Sequence, residues 1–281
     1  MRSMILISAL FLLTACTSNE PLKEESQGSE NKMGEEQKEK TVIENKEEET
    51  REKEQIEEFE ENEVVAEPQY KLNPNTWSIE PIAEANESIV LLTIDDAPDK
   101  HSIEMAQTLK DLQAPAIFFV NGHFLDTPEE QEVLKEIHKM GFPIGNHTYS
   151  HSNLSDLNEE KQREEILSLN DIIEEITGER PKFFRAPFGV NTDFSKAVVA
   201  EENMVLMNWT YGYDWEAEYQ NKESITDIMV NTPLLSNGAN LLMHDRSWTN
   251  DALADIVKGL REKDYEIIDP YLIESSQTAP F

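Results

Sequence analysis

The chain has 281 residues, 57 acidic against 24 basic side chains and one cysteine, so its formal net charge near neutral pH is −33. An anionic excess this large argues against nucleic acid and anionic lipid head groups as partners. A lone thiol excludes an internal disulfide, which leaves a buried core or a bound metal to supply stability.

In chain order, Met1-Arg2 opens onto an apolar stretch, residues 4–13, followed by Thr14-Ala-Cys16. One positive charge, a short apolar run and small residues predict an export signal over residues 1–15, too short to span a bilayer as a stable helix. Leu13-Thr-Ala-Cys16 resembles the bacterial lipobox, which implies a lipid on Cys16; the alternative is an ordinary secretory signal with an incidental cysteine. The expected location is extracytoplasmic, anchored to the cell membrane through Cys16 and facing the cell wall. Residues 17–70 hold 19 Glu and no Asp against 7 Lys+Arg, with few large apolar side chains before Ile56. Such a segment cannot bury enough surface to offset its ordering entropy, so residues 16–70 are expected to be a lipidated cysteine plus a disordered tether. A partly helical stretch over 42–59 is compatible with the composition, but no sustained heptad supports a coiled coil. Residues 71–281 retain 38 acidic and 16 basic residues, a net of −22, and suffice for one domain with a substantial core.

Within that domain, short apolar runs at 88–94, 114–120, 141–145, 182–184, 204–207, 239–243 and 265–268 predict seven strands. Between them, apolar residues at three- and four-residue spacing predict helices at 103–112, 129–140, 159–177, 194–202, 224–235 and 250–263. The third pattern is the strongest, with Ile166, Leu169, Ile172, Ile173 and Ile176 on one stripe and Gly178 as a stop. This alternation predicts an α/β fold with a parallel sheet. An open doubly wound sheet would alternate in the same way, but it gathers its functional residues at a switch point. Here polar residues suited to catalysis follow strands along the whole length, which favours a (β/α) barrel of about seven parallel strands with one functional rim.

Those polar residues point to a hydrolytic metal site. His147 and His151 stand four apart, so one tight loop can aim both imidazoles at one ion, and the surrounding Asn-His-Thr-Tyr-Ser-His-Ser is not an amphipathic helix face. Catalytic divalent metals take three protein ligands and keep a position for water. Asp95 and Asp96 can supply the third ligand and a base, although Asp-Asp-Ala-Pro also reads as a solvated turn. Two His and one carboxylate suit Zn2+, with Co2+, Mn2+, Ni2+ and Fe2+ open. Arg185 lies in an apolar segment and, if buried, needs a carboxylate partner, for which the Asp pair is the candidate. His244 is placed either to give a proton to a leaving amine or alcohol, or to serve as a core histidine bonded to backbone. His101, His123 and His138 receive no role.

Thr93-Ile-Asp-Asp-Ala-Pro98, His147-Thr-Tyr-Ser-His151, Arg185-Ala-Pro-Phe-Gly189, Asp214-Trp215 and Leu242-Met-His244 resemble, in order, the five motifs of the NodB-homology polysaccharide deacetylases, carbohydrate esterase family 4. The resemblance covers roughly residues 85–272. It implies a distorted (β/α) barrel that removes acetyl groups from acetylated glycans: peptidoglycan, chitin or acetylxylan. By motif it implies Asp96, His147 and His151 as metal ligands, Asp95 as base, His244 as acid and Arg185 as the group orienting Asp95. It further implies that the Phe188 N–H, in the turn with Pro187, holds the oxyanion, and that Trp215 and Leu242 line the acetyl pocket. Three positions depart from the family pattern: Ala97 stands for a usual Gly, Phe188 for a common Tyr, and Tyr211 where an Asp normally tunes the acid. Either Asp214 takes over that task or His244 is tuned differently. The expectation is a monomeric, lipid-anchored N-deacetylase of cell-envelope glycan. The alternatives are an enzyme of the same mechanism acting on O-acetyl polysaccharide or a small acetylated amine, and a non-catalytic glycan-binding lipoprotein. Retention of the whole proton-transfer set argues against the last.

Overall fold

The computed structural model describes residues 67–275; the expected signal, Cys16 and nearly all of the expected tether lie outside the described residues. The described residues open with a two-stranded antiparallel ribbon, β1 (Tyr70–Leu72) and β2 (Ile79–Pro81). The ribbon precedes the stretch covered by the motif resemblance, and no apolar run announced it. There follow β3 (Ile89–Ala97), α1 (Ser102–Asp111), β4 (Ile117–Val120), α2 (Pro128–Lys139), β5 (Ile144–Asn146) and α3 (Glu159–Thr177). The second half continues with β6 (Phe183–Phe184), α4 (Asp193–Glu201), β7 (Val205–Leu206), α5 (Lys222–Asn231), β8 (Ala239–His244), α6 (Ser247–Glu262) and β9 (Glu266–Ile267).

Strands β3 to β9 form one parallel sheet in the order β7-β6-β5-β4-β3-β8, with β9 pairing the start of β3. The sheet curls almost closed. Beyond β7 the chain reaches β8, where Thr210 N–H donates to Asn240 O (2.9 Å) and Leu242 N–H to Tyr211 O (2.8 Å). The architecture is thus the distorted (β/α) barrel of seven parallel strands, in a single domain. The six expected helices appear with ends shifted by up to a few residues; 224–235, for example, is Lys222–Asn231, because Thr232 and Pro233 close it early. Strand β3 runs further than its apolar run and carries Asp95 and Asp96 within it, with a register irregularity between Ile94 and Ala97.

Alternation along the strands explains where the site lies. Ile89, Leu91, Ile117, Phe119, Phe183, Val205 and Met207 share one cluster with no helix residue, inside the curl. Val90, Leu92, Ile94, Phe118, Val120, Leu241 and Met243 instead pack with helix residues such as Met105, Leu134, Leu169, Met229 and Leu253. Along the inward row of β3 the side chains run Ile89, Leu91, Thr93, Asp95, from apolar at the start to ionisable at the end. The β1–β2 ribbon adds Tyr70 and Ile79 to the interior cluster, and Ile79 N–H donates to Gly238 O. Gly238 has to be glycine: its φ is +77° and a Cβ there would lie 2.0 Å from Ile79 O.

Candidate active site

At the C-terminal ends of the strands, a cavity of about 460 Å3 is lined by Asp95, Asp96, His147, His151, His244 and Arg246 together with Phe188, Trp209, Trp215 and Leu242. β3 supplies the two carboxylates, the segment after β5 the two imidazoles, and β8 ends in His244. Backbone conformation concentrates strain here. Asp96 (φ 59°), Thr148 (68°), His151 (57°) and Phe188 (59°) are four of the nine non-glycine residues with positive φ among the described residues. Such conformations cost of order 1–3 kcal/mol each and persist where the surroundings over-determine them, commonly at functional sites.

Three side chains form a cluster able to hold a metal: one donor atom each from Asp96, His147 and His151, all within 4.8 Å of one another. Asp96 Oδ1 lies 3.5 Å from His151 Nε2 and 4.0 Å from His147 Nε2. His147 Nδ1 is 2.7 Å from the carbonyl oxygen of Arg185; donating there fixes the tautomer that leaves Nε2 bare toward the cluster. Burial pushes the pKa of His147 down despite the pull of Asp95 and Asp96, and burial likewise lowers His151. A lowered pKa favours the neutral ring that a metal ligand needs. Burial raises Asp96, but His244, His147, His151 and Arg246 outweigh it and hold the carboxyl below its ordinary value. A carboxylate and two neutral imidazoles fit a borderline divalent ion.

Asp95 is 2% exposed. Its Oδ1 accepts from Arg185 Nη1 at 2.7 Å, and its Oδ2 faces His147 Nε2 at 3.5 Å. Arg185 is fully buried and has the carboxylate partner its burial demands. It also donates to Thr93 Oγ1 (2.7 Å) and the Asn208 carbonyl (2.9 Å), and its guanidinium carbon lies 4.4 Å from the centre of the Phe119 ring. On the other side, His244 Nδ1 pairs with Asp214 Oδ1 at 2.7 Å. Asp214 Oδ2 accepts from the His244 N–H (2.6 Å) and Thr249 Oγ1 (2.8 Å), so its carboxylate is fully held. Burial would lower His244, but the Asp214 hydrogen bond and charge, with Asp95 and Asp96, raise its pKa above the ordinary imidazole value. Tyr211 takes no part: its hydroxyl donates to the Met229 carbonyl, and its backbone helps close the barrel.

The remaining expected residues separate. Trp215 (44% exposed) and Leu242 (2%) wall the cavity, with the Trp215 ring 5.6 Å from that of His244. Phe188 is 63% exposed at the rim. Pro187, expected beside it at the substrate, is instead buried in the turn and absent from the cavity lining, because it starts the short 3-10 turn that carries Phe188. Ala97 brings no strain: it pairs with Val120 and its methyl is buried in the helix-side core. His123 lies against the Tyr149 carbonyl and His138 against Glu179, both outside the cavity. Several residues received no role in the sequence reading: Thr93, Asn208 and Asn240 around Arg185, Trp209 in the wall, and Arg246. A polar residue at an inward strand position, as at Thr93 and Asn240, was the available signal for two of them.

The chain matches the polysaccharide deacetylase family over residues 83–207. A Bacillus cereus protein named peptidoglycan-N-acetylglucosamine deacetylase is 31% identical over 201 residues, 69% of this chain and 89% of that one. The solved structure of the Bacillus subtilis peptidoglycan deacetylase PdaC superposes with a TM-score of 0.59 at 30% identity, covering 66% of this chain and 89% of that one. Against the full PdaC protein, this chain spans only 39% of its length. The Bacillus anthracis protein BA3943, described as a CE4 family pseudoenzyme, matches at TM-score 0.59 and 27% identity, over 64% of this chain and 63% of that one.

Proposed function

From its membership of the polysaccharide deacetylase family, to which the chain belongs, we propose that it is a metal-dependent hydrolase removing N-acetyl groups from an N-acetylglucosamine-type glycan of the cell envelope, such as peptidoglycan. One observation carries this reading. A three-ligand cluster is flanked, in one cavity, by a buried carboxylate held by Arg185 and by an imidazole held by a second carboxylate.

A divalent ion bound by Asp96, His147 and His151 would supply Lewis acidity, lowering the pKa of bound water and polarising the acetyl oxygen. The chain's own groups account for the rest. Asp95, with Oδ1 occupied by Arg185, keeps Oδ2 on the ligand side to take the proton of the attacking water. The Phe188 N–H is the candidate donor to the acetyl oxygen as it gains negative charge. His244, with Nδ1 tied to Asp214, has Nε2 free to protonate the leaving sugar nitrogen as the carbon–nitrogen bond breaks, giving acetate and a free amine. Leu242 and Trp215 enclose the acetyl methyl. A family that includes a pseudoenzyme makes this set of groups more informative than fold alone.

The test is acetate release from chitin oligomers, peptidoglycan and acetylxylan, with the protein stripped of metal and then reloaded. Metal-dependent release from the first two is expected. Release from acetylxylan alone would make the enzyme an esterase, and none from any, with metal bound, would leave a glycan-binding module. We also propose that the enzyme works from the outer face of the membrane, on a lipid at Cys16; the support is the sequence Leu13-Thr-Ala-Cys16 after a short apolar run.

A further inference from the structure

Arg246 lines the active-site cavity, yet no step above uses it. It stands two residues beyond His244, immediately before α6, with its side chain 35% exposed. Its Nη2 donates to Asp96 Oδ2 at 2.7 Å, and its Nη1 donates to the Asp245 carbonyl at 2.9 Å and lies 3.7 Å from Asp99 Oδ2. The other oxygen of Asp96, Oδ1, is the one that faces His147 and His151.

We propose that Arg246 is a positioning residue for the metal site: it occupies Asp96 Oδ2, so that Asp96 offers the ion one oxygen rather than two. The inference rests on the metal-site reading above. A carboxylate can bind an ion through one or both oxygens, and the second would use coordination space that water and the acetyl oxygen need. Arginine suits the task because its planar fork can serve Asp96 and a backbone carbonyl at once, whereas lysine carries a point charge on a flexible stem. The clamp is also firmly mounted. The neighbouring Asp245 is 1% exposed and accepts from the backbone N–H groups of Asp99, Lys100, His101 and Ser102 and from the Ser102 hydroxyl. That carboxylate ties the end of β8 to the loop after β3. Arg246 therefore reaches Asp96 from a support already locked to the strand that carries Asp96.

Electrostatics and positioning predict opposite signs, which makes the proposal testable. Removing a cation near a bound cation should, by relief of Coulomb repulsion alone, tighten metal binding. Losing the group that orients a ligand typically weakens affinity about 10–100-fold. The experiment uses Co2+ as the probe, titrated into the metal-stripped protein and followed by visible absorption, with Arg246→Ala and Arg246→Lys compared with wild type and circular dichroism confirming the fold. Arg246→Ala is expected to bind Co2+ about 10–100-fold more weakly, with weaker d–d absorption as the second Asp96 oxygen joins and the coordination number rises. Arg246→Lys should recover part of both. Unchanged or tighter binding with an unaltered spectrum in Arg246→Ala overturns the proposal and leaves an ordinary rim ion pair. A wild-type protein that takes up no Co2+ would overturn the metal-site reading itself, and this inference with it.

Discussion

Asp95 and Asp96 are adjacent in the chain and differ in everything that decides reactivity. Asp95 is held by a buried guanidinium, while Asp96 stands at φ 59° beside two imidazoles. Asp95→Asn is therefore expected to retain full metal content and lower kcat by about 100-fold or more, the scale of losing a general base. Asp96→Asn, His147→Ala and His151→Ala should each lose metal with the barrel still folded, since all three side chains line the cavity at the strand ends and none, not even the buried His147, belongs to the apolar clusters of the core. Metal analysis of the purified variants checks this, and reversed behaviour of the two aspartates would exchange their roles. His244 gives a second residue-scale prediction. Its pKa is raised, so the proton it must donate survives to higher pH than on an ordinary imidazole, and the alkaline limb of kcat/KM should lie above about 6.5. Asp214→Asn removes the charge and weakens the hydrogen bond that raise it, so the limb should move to lower pH. His244→Ala should harm amide cleavage far more than cleavage of an aryl acetate, whose leaving group scarcely needs a proton. Equal losses on both substrates would end the general-acid assignment.

Elements hold these residues at working distance through close approaches that only glycine allows. Gly145 on β5 faces Phe119 of β4, and a Cβ there would lie 2.5 Å from the ring. Phe119 also underlies Arg185, so Gly145→Ala should displace the ring and disturb the Arg185–Asp95 pair. A loss of about 1–3 kcal/mol is expected for such overpacking, measurable by urea unfolding, with a fall in kcat while metal content is kept. A stability loss with wild-type kcat would show the pair to be insulated from the ring. Much of this element scale was legible in the sequence, because apolar runs and helical stripes are local patterns: α3 was expected at 159–177 and is Glu159–Thr177. That Arg185 pairs with one of the two aspartates also followed, since a buried cation demands a partner; that the partner is Asp95 was implied only by the motif resemblance. What stayed hidden depends on backbone meeting backbone across the fold. The β1–β2 ribbon is too short to show a period, and the closure at Thr210 and Tyr211 lies in a segment without apolar alternation. Arg246 was hidden for a related reason: an arginine after His-Asp reads as a solvated helix start until Asp96 is seen within 2.7 Å of it.

Charge governs the molecule as a whole and bears on how it would stay at a membrane. With 57 acidic against 24 basic residues, and 19 Glu between positions 17 and 70, the chain would be repelled by an anionic lipid surface. A polybasic patch, the usual second signal that assists a single acyl chain, is not available to it. No described helix is long and apolar enough to cross a bilayer. If the protein is membrane-held by Cys16, the lipid must do all the holding, which takes two chains of a diacylglycerol type for stable attachment. Two consequences separate this from an electrostatic association. High salt should leave the wild-type protein in the membrane fraction, because screening removes a repulsion rather than an attraction. Cys16→Ser should put the protein in the soluble fraction or leave an unprocessed precursor, with the glycan activity of the released domain intact. Metabolic labelling with a fatty acid should mark wild type and not the variant. A wild-type protein that carries no label and partitions as Cys16→Ser does would refute the anchor and leave a secreted enzyme with the same active site.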